Sequence, residues 1–295
     1  MTPLLSLVLA STLAQPVEVK AAKNPFEFKD GDRVVFLGGT LIEREQKYGN
    51  WELALTLLNK DKNVTFRNLG WSGDTVYCES RGSFDGPKKG FENTMALLKE
   101  LKPTVVVICY GQVESFDGKD GVKKFSEGLE KLIDGVNATK ARVVLMTPTR
   151  FENKKPLTEA KAKNANLELY SIAMKDVAEK RKLEFVDLFG ALAQSEIETE
   201  NGLHLTAKGY EDSSSYFAGY RHIAGEEALA GAAIREAIVA KNELFFHRWR
   251  PQNITYLTGF RKHEQGNNAK EIAEFDPLVE KAEKQIAELR KKLVK

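Results

Sequence analysis

Arg33-Val-Val-Phe-Leu-Gly-Gly-Thr40 decides the fold, because a run of β-branched and aromatic residues ends there in two glycines and a hydroxyl. Asp30-Gly31-Asp32 is a turn pattern, so the sequence predicts a short buried strand from Arg33 to Leu37. The two glycines permit a sharp bend. Thr40 then lies at the carboxyl end of the strand, where open α/β sheets bind their ligands. An ordinary strand-to-helix turn capped by Thr40 is the alternative.

The same unit, a strand followed by a helical pattern, recurs along the chain. Further strands are predicted at Val64–Leu69, Thr104–Tyr110, Ala141–Met146 and Leu183–Phe189. Helices are predicted at Tyr48–Leu58, Gly90–Leu101, Gly121–Val136, Lys161–Lys182 and onward from Thr206. Five strands that alternate with helices predict an α/β fold, with a mostly parallel sheet covered on both faces.

The composition is that of a globular protein with room for one large core: 295 residues, 42% hydrophobic and 29% charged. The net charge of +2 and the interleaving of basic with acidic residues give no indication of a nucleic-acid partner. The two cysteines, Cys78 and Cys109, are too few for a disulfide framework, so buried free thiols are expected.

The two ends of the chain differ from its middle. Residues 4–14 form an apolar run too short to span a bilayer, which predicts a signal peptide over residues 1–14 and a secreted or periplasmic protein. An apolar N-terminus with no targeting role is the alternative. Residues 25–241 form the predicted domain. Residues 242–295 are predicted to form a polar segment, dense in Arg, His, Asn and Gln over 242–268, and a final helix from Asp276-Pro277 that packs on the domain.

Four blocks follow the predicted strands: Gly38-Gly-Thr40, Gly70-Trp-Ser-Gly-Asp-Thr75, Gly111-Gln-Val113 and Asn201-Gly-Leu-His204. Their order and spacing resemble the SGNH hydrolases, also called GDSL esterases, over roughly Arg33 to Lys241. In that superfamily a nucleophilic Ser follows the first strand, a Gly the second and an Asn the third, and an Asp-x-x-His pair lies near the end. The resemblance implies a three-layer α/β/α sandwich with a five-stranded parallel, flavodoxin-like sheet and a C-terminal helical extension. It implies ester hydrolysis without a cofactor.

Carried over residue by residue, the resemblance implies a degenerate triad. Thr40 replaces the nucleophilic Ser, and His204 is retained as the general base. Gly70 stands at an oxyanion-donor position, and Gly39 adjoins the nucleophile. Two further departures complete the set. Val113 occupies the place of the Asn donor, and Asn201 occupies the place of the Asp that orients the histidine.

Substitutes for the missing groups stand nearby in the sequence. Glu200 is a candidate to hold the second ring nitrogen of His204, and Gln112 is a candidate amide donor. Glu114 would add negative charge where an oxyanion forms. Solvated loop charges are the alternative for both glutamates. Asp74 is a candidate to line the mouth of the pocket, with a local turn role as its alternative.

The C-terminal polar segment offers a second set of candidates. One hypothesis is that it folds over the strand ends, so that Arg261, His263 and Glu264 face the pocket. A hydrogen-bonded loop that ties the final helix to the domain is the alternative. His263-Glu264 has no spaced set of metal ligands, so no metal site is predicted.

Three functions are therefore compatible with the sequence. The first is a secreted ester hydrolase, with a small-molecule or acylated carbohydrate substrate. The second is a catalytically inactive relative that binds a carbohydrate or ester-bearing ligand in the same pocket. The third is an assembly module whose C-terminal segment meets a protein partner.

Overall fold

A five-stranded parallel sheet forms the centre of the protein, seen in a computed structural model that describes residues 26–195, 197–217 and 226–293. The predicted signal peptide lies outside the described residues. The strands are β1 (Arg33–Gly38), β2 (Thr65–Gly70), β3 (Val105–Cys109), β4 (Arg142–Met146) and β5 (Glu184–Val186). Their order is β2-β1-β3-β4-β5, and every pair is parallel. The predicted flavodoxin-like sheet is confirmed.

The helices are α1 (Thr40–Tyr48), α2 (Asn50–Leu58), α3 (Gly86–Leu101), α4 (Val122–Asn137), α5 (Ala160–Arg181), α6 (Leu188–Ala191), α7 (Ala207–Phe217), α8 (Glu226–Trp249), α9 (Ile254–Leu257), α10 (Lys262–Gln265) and α11 (Phe275–Lys291). Among the described residues, none of these helices combines the length and the apolar character that crossing a membrane requires.

Alternate residues of the strands point to opposite faces of the sheet, as the two-residue period of a β-strand requires. Val34 and Phe36 of β1 pack with side chains of α1, α2 and α7. Val35 and Leu37 pack on the other face with side chains of α3, α4 and α5. Both faces of the sheet are therefore covered, which explains why β3 is apolar at all five positions.

The connection after β1 differs from the predicted single helix over Tyr48–Leu58. α1 begins directly at Thr40 and ends at Tyr48, where Gly49 adopts φ +65° and donates its N–H to the Glu45 carbonyl. This left-handed conformation closes one helix and starts α2 at an angle to it. The pattern missed α1 because only Leu41 and Ile42 in it are apolar and buried.

The predicted boundary after residue 241 lies inside α8, which packs against α1, α2 and β2. α8 continues through this position as part of the domain because Lys241 is bound in the interior. Its Nζ lies 2.8 and 2.9 Å from the two carboxylate oxygens of Glu52 and 3.1 Å from the Phe66 carbonyl oxygen. Both charged side chains are buried. α8 is thus joined to α2 and β2 through the interior, and α11 packs along α8.

Replacement of Lys241 by Met is expected to lower the free energy of unfolding by about 3–5 kcal/mol, because it leaves the Glu52 carboxylate buried without its partner. The double variant Lys241→Met/Glu52→Leu should recover much of that loss. Urea denaturation measures both. Lys47→Met, at an exposed lysine of α1, is the control and should change stability by less than about 0.5 kcal/mol. A Lys241→Met protein as stable as this control would contradict the assignment.

Candidate active site at the strand ends

The carboxyl ends of β1 and β3 enclose a shallow pocket of about 250 Å³, open mouth included. Thr40 is the first residue of α1 and lines this pocket together with Gly39, which caps the helix. A Cβ at Gly39 would lie 3.1 Å from the Asp74 carbonyl oxygen, so glycine allows the next loop to approach. The hydroxyl of Thr40 therefore stands at a helix N-terminus, which favours developing negative charge.

The backbone donor to the Thr40 hydroxyl is Gly73, whereas Gly70 was predicted as a donor to the oxyanion. The Gly73 N–H, in a turn with φ +72°, donates to Thr40 Oγ1 at 3.0 Å. The Gly70 N–H instead donates to Asn68 Oδ1 at 2.8 Å, so it is already satisfied. A Cβ at Gly70 would lie 2.0 Å from the Glu43 nitrogen, so this glycine serves the close packing of β2 on α1. In the sequence, the second glycine of Gly70-Trp-Ser-Gly73 was the feature that could have indicated this donor.

Gln112 and Val113 both line the pocket, but Gln112 is buried and Val113 is exposed. Gln112 is 9% exposed, and among the described residues its Nε2 has no hydrogen-bond partner. Val113 is 39% exposed, although it also touches the pocket wall. The structure thus places a buried amide without a hydrogen-bond partner next to the position where the resemblance led us to expect an Asn donor.

Glu114 is buried below the pocket and does not project into solvent. Its Oε1 accepts the Val76 N–H at 2.8 Å, and its Oε2 accepts the Gly111 N–H at 2.9 Å. Burial raises the pKa of this carboxyl to about 7. A large fraction of the protein therefore carries no charge at Glu114 near neutral pH, which reduces the repulsion expected for an oxyanion.

Asp74 is among the residues that line the pocket, and its buried carboxylate belongs to a hydrogen-bonded network. Its carboxylate accepts the Arg81 Nε–H at 2.5 Å and the Tyr110 hydroxyl at 2.7 Å. The second guanidinium nitrogen of Arg81 donates to the Leu69 carbonyl at 2.7 Å and to the Gly38 carbonyl at 3.3 Å. Burial and the hydrogen bonds from Arg81 and Tyr110 make Asp74 a structural group that supports the strand ends.

His204 is held by Asn201 in a defined orientation. Asn201 Oδ1 accepts the backbone N–H groups of His204 at 2.9 Å and Leu203 at 3.2 Å. Its Nδ2 therefore faces His204 Nδ1, at 3.3 Å. An amide nitrogen can only donate, so Nδ1 must accept, and the neutral ring carries its proton on Nε2. An Asp at this position would select the opposite tautomer.

Glu200 does not hold the imidazole, contrary to the prediction. Its Oε1 accepts from Arg44 Nη2 at 2.5 Å and lies 3.5 Å from the Tyr48 hydroxyl. Arg44 is one helical turn after Thr40, so this pair braces α1 against the histidine loop. Partial burial, with the positive charge of Arg44, lowers the pKa of His204.

Thr40 and His204 lie on neighbouring elements, but no hydrogen bond among the described side chains joins them. The Thr40 hydroxyl accepts from Gly73, and His204 Nδ1 accepts from Asn201. Catalytic hydrogen bonds are often long before substrate binds and shorten in the complex.

The predicted C-terminal candidates lie away from the pocket. Arg261 donates to both carboxylate oxygens of Glu264 at 2.5 and 2.8 Å and stacks on Tyr256, and His263 is exposed next to Glu264. These side chains satisfy one another because they are three residues apart on adjoining short turns. The residue of this region that does reach α1 is Arg250, which forms an ion pair with Glu43.

Cys78 and Cys109 are buried and unpaired, as predicted. Over the ranges that the structure describes, no group of three or more His, Cys, Asp or Glu side chains is placed to hold a metal ion.

The family model for GDSL-like lipases and acylhydrolases matches residues 31–211 of this chain, from the turn before β1 into α7. The chain belongs to the GDSL-like lipase/acylhydrolase family. Among curated protein sequences, none matches this chain. The family match ends before α8, so the C-terminal helices lie outside it.

Solved structures with a similar fold include three at 18% identity or less. BT4096, a gut microbial diltiazem-metabolizing enzyme, is 18% identical with a TM-score of 0.51; the match covers 70% of this chain and half of that one. LAE5, an α/β hydrolase from the metagenome of Lake Arreo, Spain, is 17% identical with a TM-score of 0.50. The match covers 65% of this chain and 97% of LAE5. A catalytic mutant of Axe2, an acetylxylan esterase from Geobacillus stearothermophilus, is 14% identical with a TM-score of 0.50, covering 66% and 97%. At identities this low, the structural similarity establishes a shared fold only.

The tautomer of His204 is a testable feature of this member of the GDSL-like family. In ¹⁵N-imidazole spectra, wild-type His204 is expected to carry its proton on Nε2 and to titrate below 6.5, because burial and Arg44 disfavour the charged ring. Asn201→Asp should move the proton to Nδ1 and raise the pKa of His204. A carboxylate accepts a hydrogen bond from the Nδ1–H group and stabilises the imidazolium cation. Asn137→Asp, at an exposed helix end, is the control. An Nδ1–H tautomer in the wild type would contradict the orientation of Asn201.

Glu114 should make stability depend on pH in a defined direction. Between about pH 4.5 and 7 the folded protein binds more protons at this carboxyl than the unfolded chain, so the free energy of unfolding falls as pH rises. The difference from the ordinary value corresponds to roughly 3 kcal/mol at about 1.36 kcal/mol per pH unit. Urea denaturation from pH 5 to 8 should show a smaller decline in Glu114→Gln than in the wild type. Glu211→Gln, at an exposed glutamate, should decline like the wild type. Equal slopes in all three proteins would overturn the assignment.

Proposed function

We propose that this protein hydrolyses a carboxylic ester, with Thr40 as nucleophile and His204 as base. The observation that carries the proposal is the Gly73 N–H at 3.0 Å from Thr40 Oγ1, because it places a backbone donor beside a hydroxyl at a helix N-terminus. The unpartnered amide of Gln112 supplies a second donor to the same pocket. Membership of the GDSL-like lipase/acylhydrolase family supports this chemistry.

In the proposed reaction the Thr40 oxygen attacks the ester carbonyl carbon while its proton passes to His204 Nε2. The carbonyl oxygen becomes an oxyanion, which accepts from the Gly73 N–H, the first N–H groups of α1 and the Gln112 amide. The C–O bond to the alcohol then breaks, and His204 returns the proton to the departing alkoxide. Water attacks the acyl-threonine in the same way and releases the carboxylic acid.

The position of the imidazole proton limits this reaction. Asn201 holds the neutral ring with its proton on Nε2, so only a minor tautomer can accept the proton of Thr40. Loss of the orienting carboxylate costs about 10⁴ in turnover in a serine protease, through the same tautomer effect. The extra methyl group of Thr40 also restricts its rotamers. We therefore propose a slow hydrolase.

The Asn201–His204 contact also favours a second candidate function, an ester-binding protein without turnover. In that case Nε2–H of His204 donates to a ligand oxygen, and the Gly73 and Gln112 N–H groups bind a carbonyl. The pocket and its donors are the same in both functions. The two differ only in whether the ester bond breaks.

Two finer features belong to the proposal. We propose an acylated carbohydrate as the first substrate to test, because a structure with a similar fold is an acetylxylan esterase. We also propose that the protein acts outside the cytoplasm after cleavage within the first residues, for which the apolar run over residues 4–14 is the support.

Activity assays with p-nitrophenyl acetate and acetylated xylo-oligosaccharides test the hydrolase directly. The wild type should release acetate slowly, and Thr40→Ala and His204→Ala should lower kcat at least about 10²-fold, because each removes a member of the catalytic unit. Asn201→Asp should raise kcat by about tenfold or more, since it restores the productive tautomer. Asn137→Asp, the same chemical change on the surface, should leave kcat unaltered.

The outcomes separate the two functions. No turnover in the wild type, with ester binding that Thr40→Ala retains, would replace the hydrolase by the binding protein. Equal rates in the wild type, Thr40→Ala and His204→Ala would remove both residues from the chemistry.

A further inference from the structure

We infer that Arg250, at the end of α8, is a positioning residue for the turn that carries the Gly73 N–H. The guanidinium of Arg250 forms an ion pair with Glu43 of α1, and its Cζ lies 3.8 Å from the centre of the Trp71 ring. Trp71 begins the turn that contains Gly73 and ends at Asp74, whose N–H donates to the Trp71 carbonyl. One side chain from outside the family-matched region therefore contacts both the turn and the helix that bears Thr40.

Glu43 connects this cation to the turn by direct hydrogen bonds. Its Oε2 accepts the Ser72 N–H at 2.7 Å, and its Oε1 accepts the Ser72 hydroxyl at 2.6 Å. Glu43 lies three residues after Thr40, so it projects from nearly the same face of α1. The turn is thus bound to α1 at two adjoining points, Ser72 to Glu43 and Gly73 to Thr40.

The role of Arg250 is to keep Glu43 in the rotamer that binds Ser72. Both side chains are about four-fifths buried, 26% exposed for Arg250 and 17% for Glu43, so a carboxylate without its cation would turn toward solvent. The planar guanidinium also covers one face of Trp71, which limits movement of the turn from the other side. Lysine keeps the charge but cannot stack in this way.

The same helix end provides a matched control. Arg248 lies two residues before Arg250 and forms ion pairs with Glu100 and Asp276. It has no contact with the turn or with α1 among the interactions of the described residues. Arg248→Ala therefore removes the same kind of side chain from the same helix without affecting Glu43.

Hydrogen exchange of the Gly73 amide tests the inference without any need for activity. In the full-length protein, Arg250→Ala and Glu43→Gln should each speed this exchange by about twofold to fivefold, in line with the small contribution of a partly exposed ion pair. Arg250→Lys should fall between Arg250→Ala and the wild type. Arg248→Ala should exchange at the wild-type rate. Equal exchange in Arg250→Ala and Arg248→Ala, faster or not, would overturn the inference.

The kinetic consequence rests on the proposed function and is measured separately. With p-nitrophenyl acetate, Arg250→Ala should lower kcat by a similar factor with KM within about twofold, because the Gly73 donor acts on the oxyanion and not on the bound ester. Arg250→Lys should restore part of kcat. A wild type without turnover would contradict the proposed function while the exchange result still decides the role of Arg250. A fall in kcat equal to that of Arg248→Ala would contradict the positioning role.

Discussion

One buried guanidinium joins the ends of three strands, and the geometry of the site depends on it. Arg81 donates to carbonyls at the ends of β1 and β2, and its partner Asp74 accepts the hydroxyl of Tyr110 just after β3. The Leu69 carbonyl accepts from Arg81 at 2.7 Å, and the Gly38 carbonyl accepts both from Arg81 and from the Trp71 N–H. A buried cation thus links several backbone carbonyl groups at the strand ends. The later members of the site, His204 and Asn201, come from a loop outside this network.

This division explains which parts of the family chemistry the chain keeps. The strand ends retain a hydroxyl, a backbone donor and an amide, although two of these come from residues other than those the resemblance implied. The histidine loop retains the imidazole, but the proton of the neutral ring is on Nε2 and not on Nδ1, because an amide replaces the carboxylate. Two backbone N–H groups bind the amide oxygen, so the amide nitrogen faces the ring. The departure that bears on proton transfer therefore lies in the histidine loop and not at the strand ends.

The sequence predicted the sheet well because each strand combines β-branched residues with a glycine or proline stop, and these signals are local. It missed α1, since a helix with two buried apolar residues has almost no periodic pattern. Within the site, Thr40, His204 and Gln112 were predicted from the blocks that carry the family resemblance, and their catalytic roles stay predictions. Gly70 was predicted and Gly73 was not, because the first ends β2, the second lies in the turn that follows, and the sequence does not show the direction of either N–H. Arg261 and Glu264 were misplaced because a polar sequence does not show that two side chains satisfy each other.

By itself, the sequence determined the α/β class, the order of the elements and the family, because these follow from local patterns and from motif spacing. The tertiary structure alone decided that Arg250 reaches Glu43, that Glu200 pairs with Arg44 and that Glu114 is buried. Each of these facts concerns the partner of a charged side chain. A charge has no sequence periodicity that reveals its partner, and its pKa and hydrogen bonds depend on groups that only the folded chain brings near.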